Sequence, residues 1–109
     1  MKRGEIWTVA GGAAYAGKPR PAVIMQDDRF DANDSVVVRP VTSDPTAAPS
    51  FRIAVEPDDE NGLRTPCRLM VDKVSAVPRL RLRRRIGALG AAEIANLNRA
   101  IVVFLGLGG

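Results

Sequence analysis

The stretch GKPRPAVIMQ, residues 17–26, places one arginine between two prolines at the start of an apolar run. Pro19 and Pro21 have no amide hydrogen and a nearly fixed φ, so the backbone on both sides of Arg20 is stiff. A residue that precedes proline is also driven into an extended conformation, and Arg20 is such a residue. The run PAVIMQ therefore predicts a short buried strand with a firmly held arginine at its start.

Other short strands are predicted on both sides of this run. In VVVRPVTS, residues 36–43, Pro40 indicates either a strand at a sheet edge or a bulge. The alternating or apolar segments that predict the remaining strands are residues 4–10, 51–56 and 67–74, with residues 83–89 as the candidate for a sixth.

The period changes near the C-terminus, in AAEIANLNRAIVVFLGL, residues 91–107. Ile94, Leu97, Ile101 and Leu105 recur at steps of three or four residues. This spacing predicts an amphipathic helix of about four turns. Five or six short strands followed by one helix predict a small, mostly antiparallel barrel with a packed helix, and residues 1–109 suit a single domain.

Composition narrows the possible chemistry. The 109 residues include no histidine and one cysteine, Cys67. An internal disulfide, a cysteine-based metal cluster and an imidazole base are therefore excluded. No apolar run approaches the roughly 18 residues of a membrane span, and the charged N-terminus is not followed by a signal-peptide core. These features favour a cytoplasmic protein.

Charge is unevenly distributed along the chain. Residues 1–60 carry seven basic and ten acidic side chains, whereas residues 61–109 carry nine basic and two acidic ones. The two parts thus have net charges of −3 and +7, which together give the net +4 of the chain. A basic C-terminal part predicts a polyanionic partner, either a nucleic acid or an acidic protein segment.

Several polar clusters have both a functional and a structural explanation. Arg79, Arg81 and Arg83 alternate with leucines, so a strand would present three arginines on one face, either as a phosphate-binding stripe or as a solvated edge. Thr42, Ser43 and Asp44 form either a site or a capped turn. Asp72 and Lys73 form either a site or an ion pair. Trp7 and Tyr15 could stack on bases, although the sequence favours Trp7 as a core or interface residue.

The order of these pieces resembles the MazF/PemK family of toxin endoribonucleases. The matching stretches are KRGEIWTV, RPAVIMQ, VVVRPVTS, LRTPCRLMVDKV and the terminal FLGL, and together they span nearly the whole chain. The resemblance implies an SH3-like barrel of five to seven mainly antiparallel strands with a C-terminal helix, present as a homodimer.

The same resemblance implies the toxin of a type II toxin–antitoxin system. Such a toxin cleaves single-stranded RNA at short sequence motifs and thereby inhibits translation and growth. Its partner is an antitoxin whose disordered, acidic C-terminal segment covers the groove of the toxin.

Arg20 and Thr42 are the catalytic pair that the resemblance implies. The RNA supplies its own nucleophile, the 2′-hydroxyl, so neither a metal cofactor nor a covalent residue is needed, and the products would be 2′,3′-cyclic phosphate and 5′-hydroxyl ends. An arginine suits this chemistry as an electrostatic clamp on the phosphoryl oxygens. The RNA-binding residues that we predict are Tyr15, Lys18, Gln26, Ser43, Asp72, Lys73, Arg81 and Arg83.

Two departures from the family leave the general base open. The loop GGAAYAGKP lacks the histidine or glutamate of some relatives, and Met70 stands where some members have an arginine. Thr42, Asp72, water and a backbone group remain as candidates for proton transfer. The alternative functions are a CcdB-like gyrase poison, which would lack the Arg–Thr pair, and a barrel that binds RNA without cutting it.

Overall fold

The computed structural model describes residues 1–11, 19–44 and 52–108. Within these ranges the chain forms seven strands and one α-helix, so the predicted mostly-β fold with a C-terminal helix is confirmed. The strands are β1 (Glu5–Val9), β2 (Arg20–Ile24), β3 (Ser35–Thr42), β4 (Arg52–Val55), β5 (Cys67–Met70), β6 (Ser75–Pro78) and β7 (Leu82–Ala88), and the helix is α1 (Ala91–Phe104). Two short 3₁₀ turns lie at Asp28–Phe30 and Arg79–Arg81.

The strands pair antiparallel in the order β4-β5-β3-β2-β1-β7, and β6 also pairs with β3. The centre of this sheet is β3, which has β2 along one edge. On its other edge β3 pairs with β6 through residues 35–38 and then with β5 through residues 41–42. Pro40 lies where β3 passes from one partner to the other, a position at which a missing N–H costs no ladder bond on that edge. The expectation of an edge strand is therefore wrong.

Two predicted segments differ in the structure. The strand expected over residues 67–74 ends at Met70, where the chain turns and the Lys73 N–H donates to the Met70 carbonyl at 3.1 Å. It continues as β6, which the sequence pattern did not predict. Arg79 and Arg81 lie in a 3₁₀ turn before β7, so they do not share a strand face with Arg83.

The remaining strands begin and end within two residues of their predicted limits. The predicted start of the fourth strand, Phe51, lies outside the described residues. The helix ends at Phe104, three residues before the end of the predicted helical segment at Leu107. No helix in the described part of the chain is long and apolar enough to cross a membrane.

Alternate residues of the central strands supply two apolar clusters. The first contains Ile6, Val23, Val41 and Leu69, and α1 packs against it through Leu97, which is 1% exposed. The second contains Ala22, Ile24, Val36 and Val38, with Trp7 and Val9 packed against them. Because successive side chains of a strand point to opposite faces, the two clusters lie on opposite faces of the β1–β2–β3 region. The candidate site lies on the face of the second cluster.

Candidate active site

Arg20 and Thr42 lie at neighbouring ends of two paired strands. Arg20 is the first residue of β2 and Thr42 is the last residue of β3. Ala22 pairs with Pro40, and Arg20 and Thr42 each lie two residues beyond this pair, at the same end of the two strands. Because side chains alternate along a strand, Arg20 is on the face of Ala22 and Thr42 is on the face of Pro40. Both residues line the same two cavities, so the structure brings the predicted pair together.

The first cavity has a volume of about 190 Å³ and is called here the apolar-walled cavity. Its polar lining consists of Arg20, Thr42, Lys73, Ser75 and Arg81. Its apolar walls are formed by Val9, Ala22, Val38, Val41, Met70 and Val77, with Pro21 and Pro40. A flat apolar group and an anion could therefore bind side by side, because apolar walls and three cationic side chains meet in the same space.

The second cavity, called here the polar cavity, has a volume of about 300 Å³. Its hydroxyl groups come from Thr8, Thr42, Ser43 and Thr65, and its cations from Arg20, Arg64 and Arg84. Since both cavities include Arg20 and Thr42, the pair lies on the boundary between them. Among the described residues that line either cavity there is no aspartate or glutamate.

Asp72 and Lys73 form an ion pair, which was one of the two interpretations of these residues in the sequence. Asp72 Oδ2 lies 3.7 Å from Lys73 Nζ, and Asp72 Oδ1 lies 3.6 Å from Arg52 Nε. Lys73 lines the apolar-walled cavity, whereas Asp72 is outside the lining of both cavities. Arg39 is buried nearby and donates from Nε to the Val71 carbonyl at 2.9 Å.

The charge of Asp72 also acts on this buried arginine. Burial lowers the pKa of Arg39 below its ordinary value, and the positive charge of Arg3 lowers it further, while Asp72 opposes both effects. Asp72 thus compensates the positive charge of a buried side chain besides its contacts with Lys73 and Arg52.

The arginine run of residues 79–85 is divided among different surroundings. Arg79 donates to the Asn33 carbonyl at 2.9 Å and also contacts Asp31. Arg83 donates to the Leu80 carbonyl at 2.5 Å, and Arg85 donates to Glu5 at 2.8 Å. Arg81 lines the apolar-walled cavity and Arg84 lines the polar cavity. The single strand face that both interpretations assumed for Arg79, Arg81 and Arg83 is therefore wrong, because Arg79–Arg81 forms a 3₁₀ turn and only Arg83 lies in β7.

Other predicted RNA-binding residues have separate positions. Ser43 lines the polar cavity. Gln26 lies beyond the opposite end of β2, where its Nε2 donates to the Phe30 carbonyl and its Oε1 accepts the Val37 N–H, each at 3.0 Å. The structure therefore does not bring Gln26 to the cavities. Tyr15 and Lys18 lie outside the described residues.

Sequence reasoning did not single out five polar residues of the cavities, namely Thr8, Arg64, Thr65, Ser75 and Arg84. Arg84 lies within the basic run that the sequence did highlight, so one signal was present. Arg64 lies in the polar segment of residues 57–66, and Ser75 follows the strand predicted over residues 67–74. Neither residue belongs to a sequence pattern that indicates a functional site. Their places in the cavities depend on contacts between distant segments.

Comparison with known protein families gives a match over nearly the whole chain. Residues 2–105 match the family described as PemK-like, MazF-like toxins of type II toxin–antitoxin systems. The chain belongs to this family. This MazF-like toxin is 50% identical over 109 residues to the probable endoribonuclease MazF of Mycolicibacterium smegmatis, with 100% of each chain covered. It is 32% identical to the endoribonuclease MazF9 of Mycobacterium tuberculosis, with 98% of each chain covered.

Solved structures of the family share the fold. An endoribonuclease from a mycobacterial species, in complex with its cognate antitoxin, superposes with a TM-score of 0.80 at 21% identity, covering 98% of this chain and 96% of that one. The toxin MazF-mt6 of Mycobacterium tuberculosis superposes with a TM-score of 0.75 at 25% identity, covering 90% and 92%. The predicted family, the toxin function within a toxin–antitoxin system and the endoribonuclease class are confirmed by these matches.

Proposed function

We propose that this MazF-like toxin cleaves single-stranded RNA at short sequence motifs without a metal ion, with Arg20 and Thr42 as its catalytic pair. The observation that supports the proposal is that Arg20 and Thr42 end two paired strands and both line the two cationic cavities. A scissile phosphate bound there would have one cavity on each side, toward which the neighbouring nucleotides would extend.

The reaction is an internal transesterification of the RNA. The 2′-oxygen attacks the adjacent phosphorus and forms a 2′-O–P bond while the P–O5′ bond breaks. The 2′-hydroxyl loses one proton and the departing 5′-oxygen gains one, so the products are a 2′,3′-cyclic phosphate and a 5′-hydroxyl. No bond to the protein forms at any point.

Arg20 supplies the charge that this transition state needs. Its planar guanidinium can donate two parallel hydrogen bonds to the non-bridging phosphoryl oxygens, where negative charge increases as the five-coordinate phosphorus forms. Pro19 and Pro21 limit the backbone on either side, so little reorganisation is required when the substrate binds.

Thr42 has a hydroxyl whose direction is constrained. Its Oγ1 accepts the Asp44 N–H at 3.1 Å. Because one lone pair is used in this bond, the hydroxyl proton is directed elsewhere and can be donated to a phosphoryl oxygen or used to orient the 2′-hydroxyl.

Water is the proton acceptor that this site favours. The described lining of both cavities contains no carboxylate, and residues 12–18 and 45–51 include no aspartate, glutamate or histidine in their sequence. Asp72 is engaged with Arg52 and Lys73. Of the candidates for the general base, water therefore requires no rearrangement of the protein.

The partners that we propose are a second copy of the chain and a cognate antitoxin with an acidic, disordered segment. The excess of basic side chains around the cavities supports binding of an acidic segment at the same place as RNA. A related endoribonuclease has been solved in complex with its cognate antitoxin. Action on cellular RNA would place the protein in the cytoplasm.

The test is cleavage of a long single-stranded RNA in the presence of EDTA, with the ends mapped at nucleotide resolution. We expect Arg20→Ala to reduce kcat by about 10²–10³-fold, as loss of one transition-state donor does in other enzymes. Arg20→Lys keeps the charge without the fork and should recover a minor part of the rate. Thr42→Ser should stay active and Thr42→Val should not. Arg29→Gln, beyond the opposite end of β2, is the matched control.

Cuts that persist in Arg20→Ala would overturn the assignment of the pair. RNA left uncut by folded wild-type protein would overturn the proposed reaction. In that case, RNA binding without cleavage would support the non-cleaving barrel, and inhibition of gyrase would support the CcdB-like alternative.

A further inference from the structure

The arginines of residues 1–11, 19–44 and 52–108 differ in whether the protein itself engages them. Arg29, Arg52, Arg79 and Arg85 are paired with carboxylates, and Arg3, Arg39, Arg83 and Arg99 donate to carbonyl or amide oxygens. Arg64, Arg81 and Arg84 make no side-chain hydrogen bond or ion pair with the described residues, and all three line the cavities beside Arg20 and Thr42. Two of them, Arg64 and Arg84, converge on the polar cavity.

Arg64 is carried by a loop with a buried anchor. Asn61 in this loop is fully buried, and its Nδ2 donates to the Glu56 carbonyl at 2.9 Å. The Oδ1 of the same side chain accepts the N–H groups of Leu63 at 3.0 Å and of Asp58 at 3.2 Å. The loop is therefore cross-linked by hydrogen bonds up to the residue that precedes Arg64.

Arg84 is carried by β7, and β7 contacts the same loop directly. The Ala88 N–H donates to the Glu60 carbonyl at 2.8 Å. A side chain at Gly87 would meet the Asn61 carbonyl carbon at 2.3 Å, so the two backbones touch without space between them. The Arg84 N–H donates to Thr8 Oγ1 at 3.1 Å, which ties this part of β7 to β1. Arg64 and Arg84 are thus held on one cavity by two elements packed against each other.

We propose that Arg64 and Arg84 form a second phosphate-binding subsite, which holds the RNA phosphate next to the scissile one on the polar-cavity side of Arg20 and Thr42. The inference rests on the proposed function, because it takes the bound polyanion to be the RNA substrate. Two guanidinium groups that no described residue engages can both donate to one phosphate. The hydroxyls of Ser43 and Thr65 provide further donors and acceptors for the sugar.

RNA fits this cavity better than an acidic peptide. The proposed catalytic pair, Arg20 and Thr42, lines this cavity. An RNA strand whose scissile phosphate lies on that pair therefore passes into the cavity. Its hydroxyl groups match a ribose and a phosphate, whereas a carboxylate side chain would leave most of them without a partner.

Binding is tested with an RNA oligonucleotide that carries a 2′-deoxynucleotide at the cleavage position, so that it cannot be cut. Its Kd is measured by fluorescence anisotropy at several salt concentrations for wild type, Arg64→Gln, Arg84→Gln and the double variant. We expect each substitution to weaken binding about tenfold, the effect of one lost hydrogen bond between charged groups. The slope of log K against log salt should fall by about 0.7 for each phosphate of the single strand that the variant no longer neutralises.

Three further variants separate the subsite from general charge effects. Arg64→Lys and Arg84→Lys keep the charge and should retain most of the salt slope. Arg29→Gln removes an exposed arginine beyond the other end of β2 and should change neither Kd nor slope. In single-turnover cleavage of an all-ribose RNA, the Gln variants should need more enzyme for half-saturation while their maximal rate is kept.

A neutral linkage identifies the phosphate. In a double-mutant cycle, a methylphosphonate at the phosphate next to the scissile one on one side should weaken binding to wild type but not to the double variant. The subsite would be overturned if a methylphosphonate at either neighbouring phosphate weakened RNA binding equally in wild type and in the double variant. Wild-type RNA affinity in the double variant, with loss of affinity only for a glutamate-rich peptide, would also overturn it and assign the arginines to the antitoxin.

Failure of this inference can be told apart from failure of the proposed function. If wild type cuts RNA in an Arg20-dependent way and the Arg64 and Arg84 variants behave like wild type, the subsite is wrong and the proposed function stands. If wild type binds the uncleavable RNA through Arg64 and Arg84 but cuts no RNA, the subsite stands and the proposed reaction is wrong.

Discussion

At the scale of single residues, Arg20 is held by a stiff backbone, which suits the catalytic role that we propose for it. Val9 of β1 pairs with Arg20 on one edge of β2, and the register on the other edge leads to Thr42. The prolines on both sides of Arg20 restrict φ, and the paired strands restrict its translation. Because misplacement of a reacting group by about 1 Å can cost 10²-fold in rate, a doubly restrained arginine suits the proposed clamp.

Glu5 is the residue whose protonation we expect to affect stability. Burial raises its pKa, but the N–H of Lys2, the Trp7 indole and Arg85 donate to its carboxylate at 2.8, 3.1 and 2.8 Å and together lower the pKa below its ordinary value of 4.5. The charged form is therefore stabilised in the folded state. This contribution is complete above the ordinary pKa and is lost as the pH falls through the lowered one.

We predict that Glu5→Gln lowers the free energy of unfolding at pH 7 by about 1 kcal/mol, since hydrogen bonds to a charged acceptor are weakened. The difference between wild type and variant should decrease as the pH falls below about 4.5. Urea denaturation at pH 7, 5 and 3.5 measures it, with the exposed Glu60→Gln as control. A difference that stays constant over this range would contradict the role of the carboxylate charge.

At the scale of secondary-structure elements, β3 organises the site because it changes partner along its length. Its N-terminal half pairs with β6 and its C-terminal end with β5, while β2 follows the other edge. The turn between β5 and β6 carries Lys73, and β6 itself carries Ser75 and Val77 to the apolar-walled cavity. An element that the sequence pattern did not predict thus forms one wall of the candidate site.

The loop that carries Arg64 offers a second prediction. Gly62 and Gly106 both have positive φ, of 69° and 72°. A Cβ at Gly62 would lie 1.9 Å from the Ile86 carbonyl oxygen, whereas nothing lies within 4 Å at Gly106. We expect Gly106→Ala to cost about 1 kcal/mol of stability, from the backbone conformation alone. Gly62→Ala should cost about 2–4 kcal/mol, because a backbone overlap is added.

Urea denaturation of both variants at neutral pH measures these costs, and the uncleavable RNA gives a second readout. Because displacement of the loop would move Arg64, Gly62→Ala should also weaken RNA binding, whereas Gly106→Ala should not. Equal losses of stability in the two variants would show that contact with β7 does not constrain the loop.

At the scale of the whole molecule, the charges at the two ends of β2 differ in how they are compensated. At one end, Asp27 and Asp31 are paired with Arg29, Arg79 and the N-terminus, so these acidic residues are largely neutralised. At the other end Arg20 lies with Arg64, Arg81 and Arg84, three arginines that make no side-chain hydrogen bond or ion pair with the described residues. This concentration of positive charge directs an approaching polyanion toward the cavities.

The proposed homodimer leads to a prediction at the same scale. The end of α1 and the residues after it expose apolar side chains, among them Val103 at 78% and Leu107 at 73%. A second copy of the chain would bury this surface, since a symmetric dimer joins the same patch on both subunits. We expect the double variant Val103→Asp, Leu107→Asp to be monomeric in analytical ultracentrifugation, where wild type is dimeric.

Leu80→Asp is the matched control, because Leu80 is 87% exposed in the turn before β7. It should remain dimeric. Dissociation by Leu80→Asp, but not by the helix variant, would assign the interface to the turn that carries Leu80. A monomeric wild type would contradict the dimer itself.

The sequence by itself determined the local conformations. Alternation and apolar runs predicted most strands, a 3.6-residue period predicted α1, and the prolines around Arg20 predicted a stiff extended segment, because each of these depends on neighbours only a few residues away. The importance of Arg20 and Thr42 followed from resemblance to a family, since neither residue type is specific by itself.

Only the tertiary structure decided which cations meet at the site. The arginines of residues 79–85 look alike in the sequence, yet Arg79 is held by residues 31–33, Arg85 by Glu5, and Arg84 faces a cavity shared with Arg64. In the same way, residues 75–78 form the strand β6 because they pair with an edge of β3 that would otherwise be unpaired. The partners in each case are far away along the chain, and a strand or an ion pair is stabilised only when such a distant partner is in place.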